Sequence, residues 1–243
     1  MRPHKVSDRT AEAEISEIFS SLQGEGPYLG VKQVFVRFGR CNMHCVYCDE
    51  LENMKEEKFV RLSLAQVLRE VERLDREKGF HHSVTMTGGE PLFYTSFLQN
   101  FLPELKRKGF TTYLETNGTL PRELERIVRY ADIIAMDMKP ASATHDRSFE
   151  KEHEEFLKIA VRREVFVKVI VTPDTVLGEV ERFVALVEEV NASIPFIFQP
   201  VTDPFGINTK ALKLIESSLM PAAEKYLTDV RVIPQLHKIW GVR

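Results

Sequence analysis

Short apolar runs separated by segments of helical period constrain this chain more than any other feature. The runs at residues 33–38, 83–87, 111–115, 133–136, 165–171, 196–199 and 230–233 are rich in Val, Ile, Phe and Thr and apolar on both faces. Strands of that kind are buried on both sides, as in a parallel sheet. Between them lie helical patterns. The clearest sets Leu64, Val67, Leu68, Val71 and Leu74 on one stripe, with Ser63 and Gln66 spaced as a capping box. Others cover residues 96–108, 121–130, 149–161, 178–190 and 210–226. This alternation predicts right-handed βαβ units on one mostly parallel sheet. Periodicity alone leaves open whether that sheet stays open or curls towards a barrel. Either way, chemistry belongs in the loops beyond the carboxyl ends of the strands.

No repeat, low-complexity tract or Pro/Gly/Ser linker divides the 243 residues, so one domain over 1–243 is expected. A chain of that length buries a full core without disulfides or structural metals. Net charge is −3, without the basic stripe of a nucleic-acid binder. No stretch approaches about 18 apolar residues, the length that spans a membrane. Residues 1–10 are polar and lack the apolar run of a signal peptide, which makes the cytoplasm the expected location.

The three cysteines all fall in Cys41-Asn42-Met43-His44-Cys45-Val46-Tyr47-Cys48, a C-x3-C-x2-C segment. A disulfide framework would use an even number and scatter them, whereas ligands of one metal centre cluster in this way. A structural zinc site needs four protein ligands, and His44 could supply the fourth. Redox thiols need only a C-x-x-C pair and would leave Cys41 idle. A cubane cluster on three thiolates leaves one iron open to a small molecule. The segment follows the first strand-like run, and four further unusual segments follow later ones. They are Thr87-Gly88-Gly89-Glu90-Pro91, Glu115-Thr116-Asn117-Gly118-Thr119, Asp137-Met138-Lys139-Pro140 and Gln199-Pro200. All five are expected on one edge of the sheet.

C-x3-C-x-Φ-C, with Tyr47 in the aromatic place, resembles the radical S-adenosylmethionine (SAM) superfamily signature, and Thr87–Pro91 resembles its Gly-Gly-Glu-Pro motif. The resemblance implies a partial (β/α)6 barrel, open at one side, and a [4Fe–4S] cluster on Cys41, Cys45 and Cys48. It also implies SAM bound on the open iron and cleaved to a 5′-deoxyadenosyl radical. Gly88 and Gly89 allow close backbone approach, so that Glu90 and main-chain carbonyls can meet the methionine ammonium. With no further cysteines, auxiliary clusters are not expected. Ahead of the cluster, residues 18–26 contain Leu22-Gln23-Gly24-Glu25-Gly26, and residues 34–41 carry Phe35-Val36-Arg37 towards Cys41. The sequence closes on His237-Lys238-Ile239-Trp240-Gly241-Val242-Arg243. These segments resemble the 7-carboxy-7-deazaguanine synthase family.

That resemblance implies conversion of 6-carboxy-5,6,7,8-tetrahydropterin to 7-carboxy-7-deazaguanine with loss of ammonia, in queuosine and 7-deazapurine biosynthesis. It implies SAM as a reusable radical carrier, Mg2+, a flavodoxin- or ferredoxin-type electron donor and a homodimer. Carried over by position, Leu22, Gln23, Gly24, Glu25, Arg37, Thr87, His237 and Arg243 bind substrate. Tyr47, Cys48, Asp49, Gly88, Gly89, Glu90, Glu115, Asn117, Asp137, Met138, Lys139 and Gln199 bind SAM. Arg37 offers a bidentate fork for a carboxylate, and Gln23 and Glu25 present the donor and acceptor edges a pterin needs. His81 and His82 read as ordinary loop residues. The chain departs from the family in three places. Asp49-Glu50 stands where Asp-Thr or Asp-Ser is common, which makes Glu50 a candidate Mg2+ ligand. Asp137-Met138-Lys139 replaces Ser-Pro-Lys and is similar to glycyl-radical activating enzymes. Arg243 stands where a proline often ends the family's chains. An activase of that kind, or a paralogue with another substrate, is therefore the alternative.

Overall fold

In the computed structural model, residues 12–49, 55–203 and 206–242 are described. The chain opens with strands β1 (Glu12–Leu22), β2 (Lys32–Phe38) and β3 (Val60–Ser63), then helix α1 (Leu64–Lys78). Four strand–helix units follow: β4 (Ser83–Gly88) with α2 (Thr95–Arg107), β5 (Thr112–Thr116) with α3 (Pro121–Ile127), β6 (Ile133–Met138) with α4 (Ala141–Thr144) and α5 (Glu150–Ala160), and β7 (Glu164–Val171) with α6 (Leu177–Asn191). Next come β8 (Phe196–Pro200), the hairpin β9 (Thr202–Asp203) and β10 (Gly206–Ile207), and the helices α7 (Thr209–Leu214) and α8 (Met220–Ala223). Strand β11 (Val230–Val232) and helix α9 (Leu236–Trp240) complete it.

Among the described residues, nine strands form one sheet in the order β11-β8-β7-β6-β5-β4-β2-β1-β3. From β2 to β11 every pairing is parallel, while β1 runs antiparallel to both β2 and β3. Among the described residues β3 and β11 are the edges, so the sheet is a partial barrel open on one side, as the family resemblance implies.

Strand period 2 sorts the side chains. One face carries Val34, Val36, Val84, Met86, Ile134, Met136, Val167, Val169 and Phe198, all buried in the main core with helix residues such as Val67, Phe101 and Phe183. The other face stacks Tyr113, Ile133, Ala135, Phe166 and Ile197 as an apolar floor inside the barrel. Two residues further along the same strands come Glu115, Asp137, Lys168 and Gln199. The inner face therefore turns from apolar to charged towards the carboxyl ends, and the functional layer sits there.

Several elements differ from the sequence expectations. β1 was not expected, because a register shift between Ile15 and Glu17 breaks its alternation. The bulge changes which face later residues present and brings Phe19 against Phe35, with ring centroids 5.1 Å apart. The stretch at 210–226 is not one helix: α7 passes through a π-helical turn at Ile215–Leu219 into α8, whose first turn holds Pro221. At the start of α1, Gln66 Oε1 accepts from Ser63 N at 2.8 Å. His81 is buried, its ring set between Ser20 Oγ at 2.8 Å and Asp75 Oδ1 at 2.9 Å.

Candidate active site

A cavity of about 410 Å3 opens at the carboxyl ends of the strands. The segment after β2 brings Cys41, Cys45 and Cys48 to its wall beside Tyr47 and Asp49. Backbone packing fixes that segment. Gly89 N donates to Phe38 O at 3.2 Å and Glu90 N to Arg40 O at 2.9 Å. A Cβ on Gly89 would lie 2.1 Å from Gly39 O, and one on Gly88, at φ +118°, 2.3 Å from Phe38 O. The two glycines are needed first for this contact between loops.

Asn117, from the loop after β5, donates to Asn42 Oδ1 at 2.7 Å and lies 3.8 Å from Cys41 Sγ. Beneath it, His153 is wholly buried, with Nε2 3.2 Å from Asn117 O, and burial pushes it down to about 4. It is neutral at neutral pH, donating from Nε2. Burial also pushes the Cys41 thiol up to about 11 and raises Cys45, so loading a metal there releases protons.

The cavity floor is charged. Lys139 Nζ is 3.0 Å from Asp137 Oδ2 and 5.8 Å from the Tyr47 ring centroid. Lys168 Nζ pairs with Glu25 and lies 3.2 Å from Asp137 Oδ1. Glu115 accepts from Gln23 Nε2 at 2.9 Å and Thr87 Oγ1 at 2.6 Å. Burial, then repulsion from Glu25, raises the Glu115 carboxyl against the pull of Lys168. Arg37 reaches the cavity with its guanidinium carbon 5.4 Å from the Phe19 ring centroid. From the other side, Leu236 N donates to Gly24 O at 3.0 Å and His237 packs on Gly24. Gln235 Nε2 donates to Glu25 Oε1 at 3.0 Å and Asp49 Oδ2 at 3.2 Å, and Lys238 pairs with Asp49 at 2.8 Å.

Of the residues singled out from sequence, Leu22, Gln23, Gly24, Glu25, Arg37, Tyr47, Asp49, Thr87, Gly88, Gly89, Glu115, Asn117, Asp137, Lys139, Gln199 and His237 all line this cavity with the cysteines. Two others do not. Glu90 is fully buried, accepting from Leu92 N, Thr116 Oγ1 and Asn117 N at 2.8–3.0 Å, and so braces two loops. Met138 falls on the outer face of β6 by strand alternation and packs in the main core. Glu50 and Arg243 lie outside the described residues. The sequence reading missed Phe19, Phe35, Lys168, Thr202 and Gln235, whereas Lys238, flagged with His237 in the closing segment, also lines the cavity.

Three thiols bordering one cavity fit a thiolate-held cluster. Among the described residues, the Gln199 Oε1 and Thr202 Oγ1 atoms are buried on the cavity wall without a protein partner and suit a polar ligand. His44 is exposed and not part of the cavity, so it offers no fourth ligand for zinc. Among the described residues, no three His, Cys, Asp or Glu side chains converge as ligands of a single ion would.

Residues 35–190 match the family model of the radical SAM superfamily. The chain is a member of that superfamily, whose cofactors are a [4Fe–4S] cluster and SAM. It is 39% identical to 7-carboxy-7-deazaguanine synthase of Geobacter sulfurreducens over 94% of this chain and 97% of that one. With the synthase of Methanothermobacter thermautotrophicus it shares 37% over 95% and 98%. The fold matches that of QueE from Escherichia coli with TM-score 0.62 and 20% identity, covering 92% of this chain and 94% of that one. The chain belongs to the 7-carboxy-7-deazaguanine synthase family.

Proposed function

We propose that this enzyme converts 6-carboxy-5,6,7,8-tetrahydropterin to 7-carboxy-7-deazaguanine with loss of ammonia, and that the residues above divide the cavity between cofactor and substrate. The observation that carries this reading is that one cavity gathers Arg37, Gln23, Glu25 and Thr87 together with the three cysteines, Tyr47, Asn117 and Lys139. Cys41, Cys45 and Cys48 would hold the cluster, which once reduced and with SAM bound would supply radical chemistry to the cavity. Asp49, Gly88, Gly89, Glu115, Asp137, Lys139 and Gln199 serve the SAM side. Lys139, held by Asp137, is raised well above the ordinary lysine range and keeps a fixed cation beside Tyr47.

On the substrate side, Arg37 forks towards the pterin carboxylate. Gln23 and Glu25 meet the amino-pyrimidinone edge, and Glu115 sets Gln23 and Thr87 in place. His237 and the segment around α9 close the mouth, which excludes water from a radical intermediate. Glu50 is the candidate Mg2+ ligand and Arg243 a candidate substrate contact by position alone. A single domain, a homodimer, a flavodoxin- or ferredoxin-type donor and a cytoplasmic location complete the proposal. Among the described residues no helix is long and apolar enough to cross a membrane.

Replacing Arg37 tests the division of the cavity. Arg37→Met should raise KM for the carboxypterin by on the order of a hundredfold while leaving iron content at the wild-type level. An unchanged KM would place the substrate elsewhere.

A further inference from the structure

One charged residue of the cavity floor is not accounted for by the roles above. Lys168 stands in the otherwise apolar stretch Val165-Phe166-Val167-Lys168-Val169-Ile170-Val171 and is 4% exposed. A lysine is buried to that degree only when paired. Its Nζ pairs with Glu25 Oε2 and lies 3.2 Å from Asp137 Oδ1, while Asp137 Oδ2 is 3.0 Å from Lys139. Glu25 Oε1 accepts from Gln235 Nε2 at 3.0 Å. A row of alternating charges, Lys139–Asp137–Lys168–Glu25, therefore crosses the floor from the cofactor side to the substrate side.

We propose that Lys168 is a positioning residue for the reaction: it fixes the Glu25 carboxylate as the acceptor for the ring and amino N–H groups of the 2-amino-4-oxopyrimidine ring, and links that acceptor to the Asp137–Lys139 pair. The inference rests on the pterin reading and deepens it. Each carboxylate oxygen has two lone pairs, so Glu25 keeps acceptor capacity after Lys168 and Gln235 have taken their share. A protonated Glu25 would instead turn a donor towards the pterin's donor edge.

Burial is the largest influence on Glu25 and opposes its charge; Lys168 and then His237 overcome it and hold the carboxyl at about 2. The groups facing Glu25 are Lys168 on β7, Glu115 and Tyr113 on β5, and His237 and the Gln235 amide from the α9 segment, with Asp137 on β6 acting through Lys168. Removing Lys168 leaves burial and Glu115 repulsion dominant, so the Glu25 carboxyl rises. Binding through the ionised form is then lost as pH falls through the raised value.

The test uses the full chain with its cluster reconstituted, as wild type, Lys168→Met, Lys168→Arg, Glu25→Gln and the double variant Glu25→Gln/Lys168→Met. Fluorescent 6-carboxypterin is titrated from pH 6 to 9, and KM and kcat for the tetrahydropterin are measured alongside. Lys168→Met should bind 6-carboxypterin on the order of ten- to a hundredfold more weakly at pH 7. That loss should deepen at lower pH and fall on KM more than on kcat, and Lys168→Arg should recover most of it. Met-variant affinity within threefold of wild type, or a loss equal at every pH and not recovered by arginine, overturns the proposal. Should the Met variant fail to fold, the double variant, which removes both charges, is compared with Glu25→Gln alone. Equal affinities support the proposal, and a further tenfold loss overturns it. A wild-type protein that neither binds 6-carboxypterin nor makes a deazapurine overturns the pterin reading itself, and the proposal with it.

Discussion

Gly89→Ala isolates the contact that holds the cluster segment in place. Gly89 does not adopt a left-handed φ, so the substitution adds no backbone strain and acts by volume alone. The new Cβ would lie 2.1 Å from Gly39 O and 2.2 Å from Arg40 O, where carbon–oxygen contacts settle near 3.3 Å or more. The loops must then part by about 1 Å. The hydrogen bonds Gly89 N to Phe38 O, at 3.2 Å, and Glu90 N to Arg40 O, at 2.9 Å, do not survive that movement. Two bonds at about 1 kcal/mol each, with a further penalty for partners left buried, give a loss of about 2–4 kcal/mol. In a chain of this size that lowers Tm by about 5–15 °C. The assay is thermal unfolding of the cluster-free protein with iron content after reconstitution, and both should fall. Gly178→Ala is the control. Its Cβ would meet only Arg182 Nη1, at 3.8 Å, and alanine favours helix α6 by up to about 1 kcal/mol. Gly89→Ala with wild-type Tm and full iron content would refute the reasoning.

Cys45→Ala should abolish the visible absorption of the reconstituted cluster and reduce bound iron to background, while far-ultraviolet circular dichroism stays native. Gly24→Ala would place a Cβ 2.5 Å from His237 Cβ and push α9 off the cavity. KM for the pterin should rise about tenfold with Tm almost unmoved, because α9 buries no residue; unchanged kinetics would deny α9 a part in closure. His153 is pushed down to about 4 by burial, below an unfolded value near 6.5. Its neutral form thus contributes stability that is complete above about pH 6.5 and is lost as pH falls towards 4. That amounts to about 3 kcal/mol. Urea unfolding of wild type and His153→Leu at pH 7.5 and 4.5 should show the variant losing less stability on acidification; parallel slopes would show that His153 is not the group responsible.

The parallel sheet was legible because its strands are covered on both faces, which leaves mostly apolar runs at 33–38, 133–136 and 165–171, broken only by Gln33, Arg37 and Lys168. β1 was not legible, since the register shift between Ile15 and Glu17 erases a simple alternation. The cysteine segment and the Gly-Gly pair were visible because few other residue types serve there. Glu90 misled, because a carboxylate in a glycine-rich turn can face a ligand or the backbone, and here both oxygens accept from Leu92, Thr116 and Asn117. Met138 misled for a simpler reason: it is one residue away from Asp137, and successive residues of a strand face opposite sides. Lys168 carried a signal that went unused. A lone lysine in a run such as Val165–Val171 must find buried carboxylates, and the inner-face positions Asp137, on the adjacent β6, and Glu115, one strand further on β5, were already singled out.

The most direct test of the central claim is anaerobic turnover. The reconstituted, reduced enzyme is incubated with SAM and 6-carboxy-5,6,7,8-tetrahydropterin, and the products are followed by mass. The account expects 7-carboxy-7-deazaguanine and ammonia in many turnovers per SAM consumed. Accumulation of 5′-deoxyadenosine without any deazapurine would contradict it, preserving the radical chemistry of the three cysteines and removing the pterin from the site.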